Sequence, residues 1–222
     1  MKSTLKCAEF FTKEQPWVVG GDDTEYLIKK YSNGEVVIAF LGSNSKVDWK
    51  ANFSFFKKPY KDMDVTFFVH GGFLARWKAV RDEIMDKVES LNPTSITVTG
   101  HSYGGAMALL CMEDCWFRFI SSRNENSLKG KIHCITFGAP RVLGFYNYHK
   151  IRERWEGTVE LWEGSDIVTC VPPSFFLYRH PVRRTHIGNK PRFLGLFRPA
   201  KYHPVEKYVE SVEKINGEFN GN

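Results

Sequence analysis

At 222 residues, 42% hydrophobic and 25% charged, the chain is long enough for one sizeable core and too apolar for a disordered one. It contains no apolar run of about 18 residues, so no transmembrane span is expected. The net charge of +6 is spread along the chain, with one cluster at Arg179, Arg183 and Arg184; no nucleic-acid motif surrounds it, which excludes nucleic acid as a partner and leaves a mild attraction to anionic interfaces. The opening residues Met1-Lys2-Ser3-Thr4-Leu5-Lys6-Cys7 lack an apolar core, so no signal peptide is visible, and the chain is expected to stay inside the cell unless a leader has been removed. Five scattered cysteines are not a disulfide framework, and Cys111 and Cys115, four residues apart, read as small buried hydrophobes. No Cys/His grouping has zinc-ligand spacing, so neither metal nor cofactor is expected.

Residues 26–31 and 35–41 flank Ser32-Asn33-Gly34, whose Asn-Gly predicts a hairpin. Residues 65–69 form a continuous apolar run, as in a strand buried on both faces. Leu74, Trp77, Val80, Ile84, Val88 and Leu91 recur at three- and four-residue steps and predict a helix over 73–91. A strand at 96–99, a helix to about Ser122, a polar loop at 124–130, a strand at 132–137, a helical stretch at 144–155, a strand at 158–162 and a last helix at 205–215 follow. Strands alternating with helices predict an α/β fold with a central, mostly parallel sheet flanked by helices, as a single domain over 1–222. In such sheets ligands bind beyond the carboxyl ends of the strands.

One such end carries the most specific signal. The β-branched run Ile96-Thr97-Val98-Thr99 leads into Gly100-His101-Ser102-Tyr103-Gly104 and then the helix former Ala106-Met107-Ala108-Leu109-Leu110. A serine between two glycines, where a strand turns at once into a helix, matches the nucleophile elbow. The glycines allow strand and helix to pack closely, Ser102 Oγ is lifted clear of the sheet, and the Tyr103 N–H is left to bind an oxyanion.

A serine hydroxyl needs a base, and the base needs an orienting acid. With the chain order serine, acid, histidine, Asp166 follows the 158–162 strand directly and is the preferred acid, with Glu163 as the alternative; Asp114 lies on the elbow helix and points away. His180, His186 and His203 follow Asp166. His203, in Tyr202-His203-Pro204 at the mouth of the final helix, is the preferred base, and His186 the alternative.

With these residues in place the chain resembles the class 3, fungal-type lipases of the α/β-hydrolase superfamily. Ile38-Ala39-Phe40-Leu41-Gly42-Ser43 followed by Asp48-Trp49, Val69-His70-Gly71-Gly72-Phe73, the elbow with Tyr103 in place of the usual Leu, Thr136-Phe137-Gly138-Ala139-Pro140-Arg141, Asp166-Ile167-Val168 with Pro172-Pro173, and His203 with Tyr208 are similar to motifs of that family in the same order. Leu41 stands where the family usually has Arg, and Thr169 where it has Pro. The resemblance implies Ser102 as nucleophile, Asp166 as orienting acid, His203 as base, and an oxyanion hole from the Tyr103 N–H and Ser43. It also implies a lid in the segment 44–58.

Trp49, Phe53 and Phe56 recur at helical spacing within that segment, and Phe193 and Phe197 precede His203; these five are candidate substrate-binding residues, with Phe175-Phe176-Leu177 a further candidate for an acyl groove. The expected activity is triacylglycerol hydrolysis at a lipid–water interface by a monomer. Feruloyl esterase, short-chain carboxylesterase and phospholipase A1 are the alternatives on the same scaffold. A binding protein without catalysis would have a broken triad, and none of the three members is missing here.

Overall fold

The computed structural model describes residues 2–42, 56–61, 65–122, 127–144, 152–164, 166–188 and 202–220. The chain opens with a short helix, α1 (Lys2–Glu9), and an edge strand, β1 (Val18–Val19). The Asn-Gly hairpin joins β2 (Glu25–Lys30) to β3 (Glu35–Phe40), with Ile28 opposite Ile38. Gly34 sits at φ +84°, the left-handed conformation that made glycine the choice for this turn. The remaining large elements are α2 (Gly71–Ser90), β6 (Ser95–His101), α3 (Tyr103–Trp116), β7 (Ile132–Phe137), β9 (Thr158–Glu163), β11 (Thr185–Ile187) and α4 (Val205–Asn220); short strands numbered in between are introduced below.

Seven strands form the main sheet in the order β1-β2-β3-β6-β7-β9-β11. The two pairings at the β1 edge are antiparallel, and the four from β3 to β11 are parallel. The mostly parallel sheet flanked by helices is the architecture expected from the alternating pattern. Both faces are covered, and β3 shows how. Val36, Ile38 and Phe40 face the larger core under α2 and α3, while Val37 and Ala39 face a smaller cluster with Phe10 and Leu27. All five are buried, so the strand reads as unbroken hydrophobic sequence. Further along the second face, Ile135, Phe137 and Leu161 pack under Tyr208, Val209 and Val212 of α4 and Cys7 and Ala8 of α1. Helix α1 has only eight residues, too few for its periodicity to announce it in the sequence.

Two expectations need correction. The apolar run at 65–69 does not join the main sheet. Its strand, β5 (Phe67–His70), lies in a separate four-stranded sheet with β4 (Lys57–Tyr60), β8 (Leu143–Gly144) and β10 (Tyr178–Arg179), in the order β10-β8-β5-β4, and all its pairings are antiparallel. Phe67, Val69 and His70 are buried and Phe68 is half-buried, so most of the strand is enclosed although it lies outside the main sheet. An apolar run reports burial and not the partner strand. The helix expected over 144–155 is instead the end of β8 and a single 3₁₀ turn at Arg152–Trp155; 145–151 lie outside the described residues. The elbow helix runs to about Ser122 as expected, its α-helical part ending at Trp116 and a π-helical turn continuing over Phe117–Ser121.

Helix α3 runs through the core with thirteen buried residues, including Cys111 and Cys115, whose sulfurs face each other at 4.0 Å. Burial pushes the Cys111 and Cys134 thiols well above their ordinary range, consistent with inert packing residues. Two acids on α3 are satisfied at long range. Asp114 accepts from Tyr60 Oη and Trp77 Nε1. Glu113, 1% exposed, pairs with the guanidinium of Arg154, 6% exposed, on the 3₁₀ turn. Removing one partner of such a pair strands a buried charge. Arg154→Met is therefore expected to lower unfolding free energy by roughly 3–5 kcal/mol in urea titration, whereas Arg154→Met combined with Glu113→Leu recovers most of that loss.

Candidate active site

Ser102 stands between β6 and α3 with φ 56° and ψ −123°, a backbone conformation that a non-glycine residue adopts only when its surroundings enforce it. The enforcement is visible at the flanking glycines. A Cβ on Gly100 would overlap the Gly104 carbonyl, and one on Gly104 would overlap the Phe40 carbonyl on β3. The Ser102 N–H donates to Phe137 O at 2.9 Å, tying the turn to β7, and Ser102 O accepts from Gly105 N at 2.9 Å. Strand, turn and helix are thus in backbone contact, and no side chain can intervene.

The other two expected members converge on this serine. His203 Nε2 lies 2.7 Å from Ser102 Oγ, and His203 Nδ1 lies 2.9 Å from Asp166 Oδ2. A carboxylate accepts only, so Nδ1 carries the ring proton of the neutral imidazole and Nε2 accepts the serine hydroxyl. Asp166 is 1% exposed. It follows β9 and caps the 3₁₀ turn Ile167–Cys170, with Oδ1 accepting from Val168 N at 2.9 Å. The sequence alternatives lie elsewhere. Glu163 is buried on β9 against Gly188 and Ser211, His186 packs edge-on against Trp162 at 4.8 Å, and His180 is engaged by Glu160 and Thr169.

Two residues belong to this arrangement that residue-by-residue reading did not single out. Tyr208, fully buried on α4, donates its hydroxyl hydrogen to Asp166 Oδ2, and its own Oη accepts from Glu163 N at 3.3 Å. Burial, followed by the Asp166 carboxylate, holds the Tyr208 phenol well above its usual range, so it remains a donor. His101, beside the serine, packs its ring 4.9 Å from that of His203 and places Nε2 2.8 Å from His203 O. Since a carbonyl only accepts, Nε2 carries the proton. Burial, with the neighbouring His203 adding to it, pulls the His101 imidazole down to about 3, so it stays neutral beside the base. In the sequence Tyr208 and His101 are marked only as members of family motifs, with no role attached to either.

The oxyanion side is half described. Tyr103 opens α3, where the first backbone N–H groups have no partner within the helix and lie at the positive end of its dipole. Its side chain is turned away, with Oη 2.9 Å from Thr24 Oγ1. Gly42, just after β3, runs beside the elbow; a Cβ there would lie 3.2 Å from His101 O and 3.5 Å from Ser102 Cβ. Ser43, Trp49, Phe53, Phe193 and Phe197 lie outside the described residues, as does 44–55 of the expected lid. Of the remainder of that segment, Phe56 is 77% exposed, and Lys57 and Lys58 belong to β4. Phe175, Phe176 and Leu177 are exposed on the turn before β10.

The model of the class 3 lipases matches residues 37–176, which include the elbow and Asp166. The chain belongs to the class 3 lipase family. It is 30% identical over 174 residues to a lipase of Rhizomucor miehei, covering 71% of this chain and 43% of that protein. It is 29% identical over 185 residues to the chloroplastic phospholipase A1-Igamma2 of Arabidopsis thaliana, covering 69% of this chain and 33% of that protein. The Rhizomucor miehei lipase–propeptide complex superposes with a TM-score of 0.66 at 27% identity over 78% of this chain and 56% of that one. A triacylglycerol lipase whose catalytic centre is a serine protease triad superposes at 0.65, also at 27% identity, over 78% of this chain and 65% of its own. The fold is that of the α/β-hydrolases. The chain spans less than half the length of the curated relatives it matches. Among the described residues no helix is long and apolar enough to cross a membrane.

Tyr208→Phe removes one donor from the Asp166 carboxylate while keeping the ring. The expected outcome is a fall in kcat of about tenfold with KM little changed on a soluble p-nitrophenyl ester, and a loss of roughly 1–3 kcal/mol in stability.

Proposed function

We propose that this chain is a serine carboxylic ester hydrolase of the lipase type, acting on acylglycerols through an acyl-enzyme. The observation that carries the reading is the continuous hydrogen-bonded line from Ser102 through His203 to Asp166. Lipases and a phospholipase A1 among the relatives support the ester class.

In this reading His203 Nε2 takes the proton of Ser102 as Oγ attacks the ester carbonyl. Asp166 holds the Nδ1–H and stabilises the imidazolium that forms, without itself taking the proton. The carbonyl oxygen becomes an oxyanion that accepts from the Tyr103 N–H and from Ser43. Collapse expels the alcohol, which receives its proton from His203. Water, deprotonated by the same nitrogen, then releases the fatty acid. His203 packs at a tilt against the neutral His101, so no fixed positive charge in that ring opposes the developing imidazolium. The three groups come from one chain, so the chemistry requires no second copy. In this reading Trp49, Phe53, Phe56, Phe193 and Phe197 contact the acyl chain or the lipid surface, and the cover is the part of 44–58 that precedes β4, since Lys57 and Lys58 are paired with β5.

Ser102→Ala is expected to lower kcat roughly 10⁴- to 10⁶-fold with the fold intact by circular dichroism. Full activity in that variant would remove the assignment. Rates on p-nitrophenyl esters of rising acyl length, emulsified acylglycerols and phosphatidylcholine vesicles set the substrate class. A lipase gains activity when the acylglycerol passes its solubility limit, an esterase does not, and a phospholipase A1 releases the sn-1 chain from the vesicles.

A further inference from the structure

The turn that carries Asp166 is held by a second histidine. His180, just after β10, places Nε2 2.8 Å from the Thr169 carbonyl and Nδ1 2.8 Å from Glu160 Oε1 on β9. The pair is enclosed, with side-chain exposures of 8% for His180 and 2% for Glu160. A carbonyl accepts only, so Nε2 carries a proton and donates it to Thr169. A second proton lies between Nδ1 and the Glu160 carboxyl group. Thr169 is three residues beyond Asp166, and its Oγ1 donates to Asp166 O at 2.8 Å. Arg184 reinforces the same point, with Nη1 3.0 Å from Thr169 O and 2.6 Å from Thr169 Oγ1. Beyond it, Arg141 donates to the carbonyls of Cys170 and Pro172.

We propose that His180, fixed by Glu160, is a positioning residue for ester hydrolysis: it pins Thr169 and so aims the Asp166 carboxylate at His203. The proposal rests on Ser102, His203 and Asp166 being the triad. A buried carboxylate–imidazole pair gains little or nothing in stability over apolar residues of the same size. Its hydrogen bonds instead specify one geometry of the turn. Asp166 accepts from Val168 N, Tyr208 Oη and His203 Nδ1 at once, so the turn has little room to rotate without losing one of them. Misplacing a catalytic group by about 1 Å can cost about 100-fold in rate.

The test compares His180→Leu, Glu160→Leu, Glu160→Gln and Thr169→Val with the parent chain on a soluble p-nitrophenyl ester, with Ser102→Ala as the reference for the triad itself. His180→Leu and Glu160→Leu are expected to lower kcat about 10- to 100-fold at nearly constant KM. Glu160→Gln, whose amide still bonds Nδ1, is expected to stay within about threefold of the parent chain. The pH profile separates positioning from support of the fold. The groups facing His203 are Asp166 and, behind it, Tyr208 on α4, with Ser102 and His101 from the elbow. A slackened Asp166–His203 bond stabilises the imidazolium less, so the acid limb of kcat/KM moves to lower pH by about 0.5–1 unit. If His180→Leu fails to fold, Glu160→Leu and Thr169→Val, which cuts the link from Thr169 to Asp166 O, read the same limb. Folded variants with unchanged kcat and an unmoved acid limb overturn the positioning role even where melting temperature falls. Equal rates for Ser102→Ala and the parent chain overturn the triad reading beneath it, which is a distinguishable result.

Discussion

Backbone lies directly on backbone where β6 turns into α3. Gly100 meets Gly104, Gly104 meets the Phe40 carbonyl of β3, and Ser102 is left in a conformation that costs on the order of 1–3 kcal/mol. The surrounding burial sustains it. The main body of α3 is enclosed from Ala106 to Cys115, and β6 is paired on both sides, so relaxing the turn would pull apart the best-packed region of the molecule. The direction of Ser102 Oγ is therefore a property of the core rather than of a loop. The same contact sets the Tyr103 N–H at the start of α3 beside Ser102, so the proposed nucleophile and the proposed oxyanion donor both follow from one packing constraint.

The second half of the site is held in a different way. Asp166 and His203 come from turns after β9 and before α4, where Gly164, at φ +52°, packs against the Tyr202 ring and Gly138 against the Asp166 carboxylate, glycine against side chain rather than backbone against backbone. Hydrogen bonds complete the geometry. Tyr208 and the Val168 N–H hold the carboxylate, His101 holds the His203 carbonyl, and Thr169 anchors the turn to His180 and Arg184. These contacts are buried and directional, so each tolerates little displacement. A rigidly held Ser102 thus faces His203 and Asp166, whose positions depend on a ring of supporting polar side chains.

The division also explains what could be read from the sequence. The elbow was legible because its requirements are local: two glycines and a serine at fixed spacing between a β-branched run and a helix former. The parallel sheet was legible because β3 is a continuous apolar run, β6 and β7 are short runs rich in β-branched residues, and helical periodicity separates them. Asp166 and His203 followed from chain order and from their places at a strand end and a helix entrance. The supporting residues left no such mark. Tyr208 is legible as a motif partner of His203, but nothing in a single sequence tells its bond to Asp166 from the packing of a buried core aromatic. His101 reaches the carbonyl of His203, 102 positions later, and His180 reaches across a turn to β9. The strand at β5 was legible as a strand but not as a member of the smaller sheet, since hydrophobicity carries no information on which edge it pairs with.

The account stands on Ser102 being activated by His203. Exposure of the chain to a fluorophosphonate, followed by peptide mass spectrometry, tests this directly, because the reagent needs a serine whose proton is taken by a base and whose oxyanion is stabilised. The predicted result is one adduct, on Ser102, formed rapidly in the parent chain and lost in His203→Ala. Modification of a different residue, no modification of the folded chain, or labelling of Ser102 at the same rate in His203→Ala would contradict it.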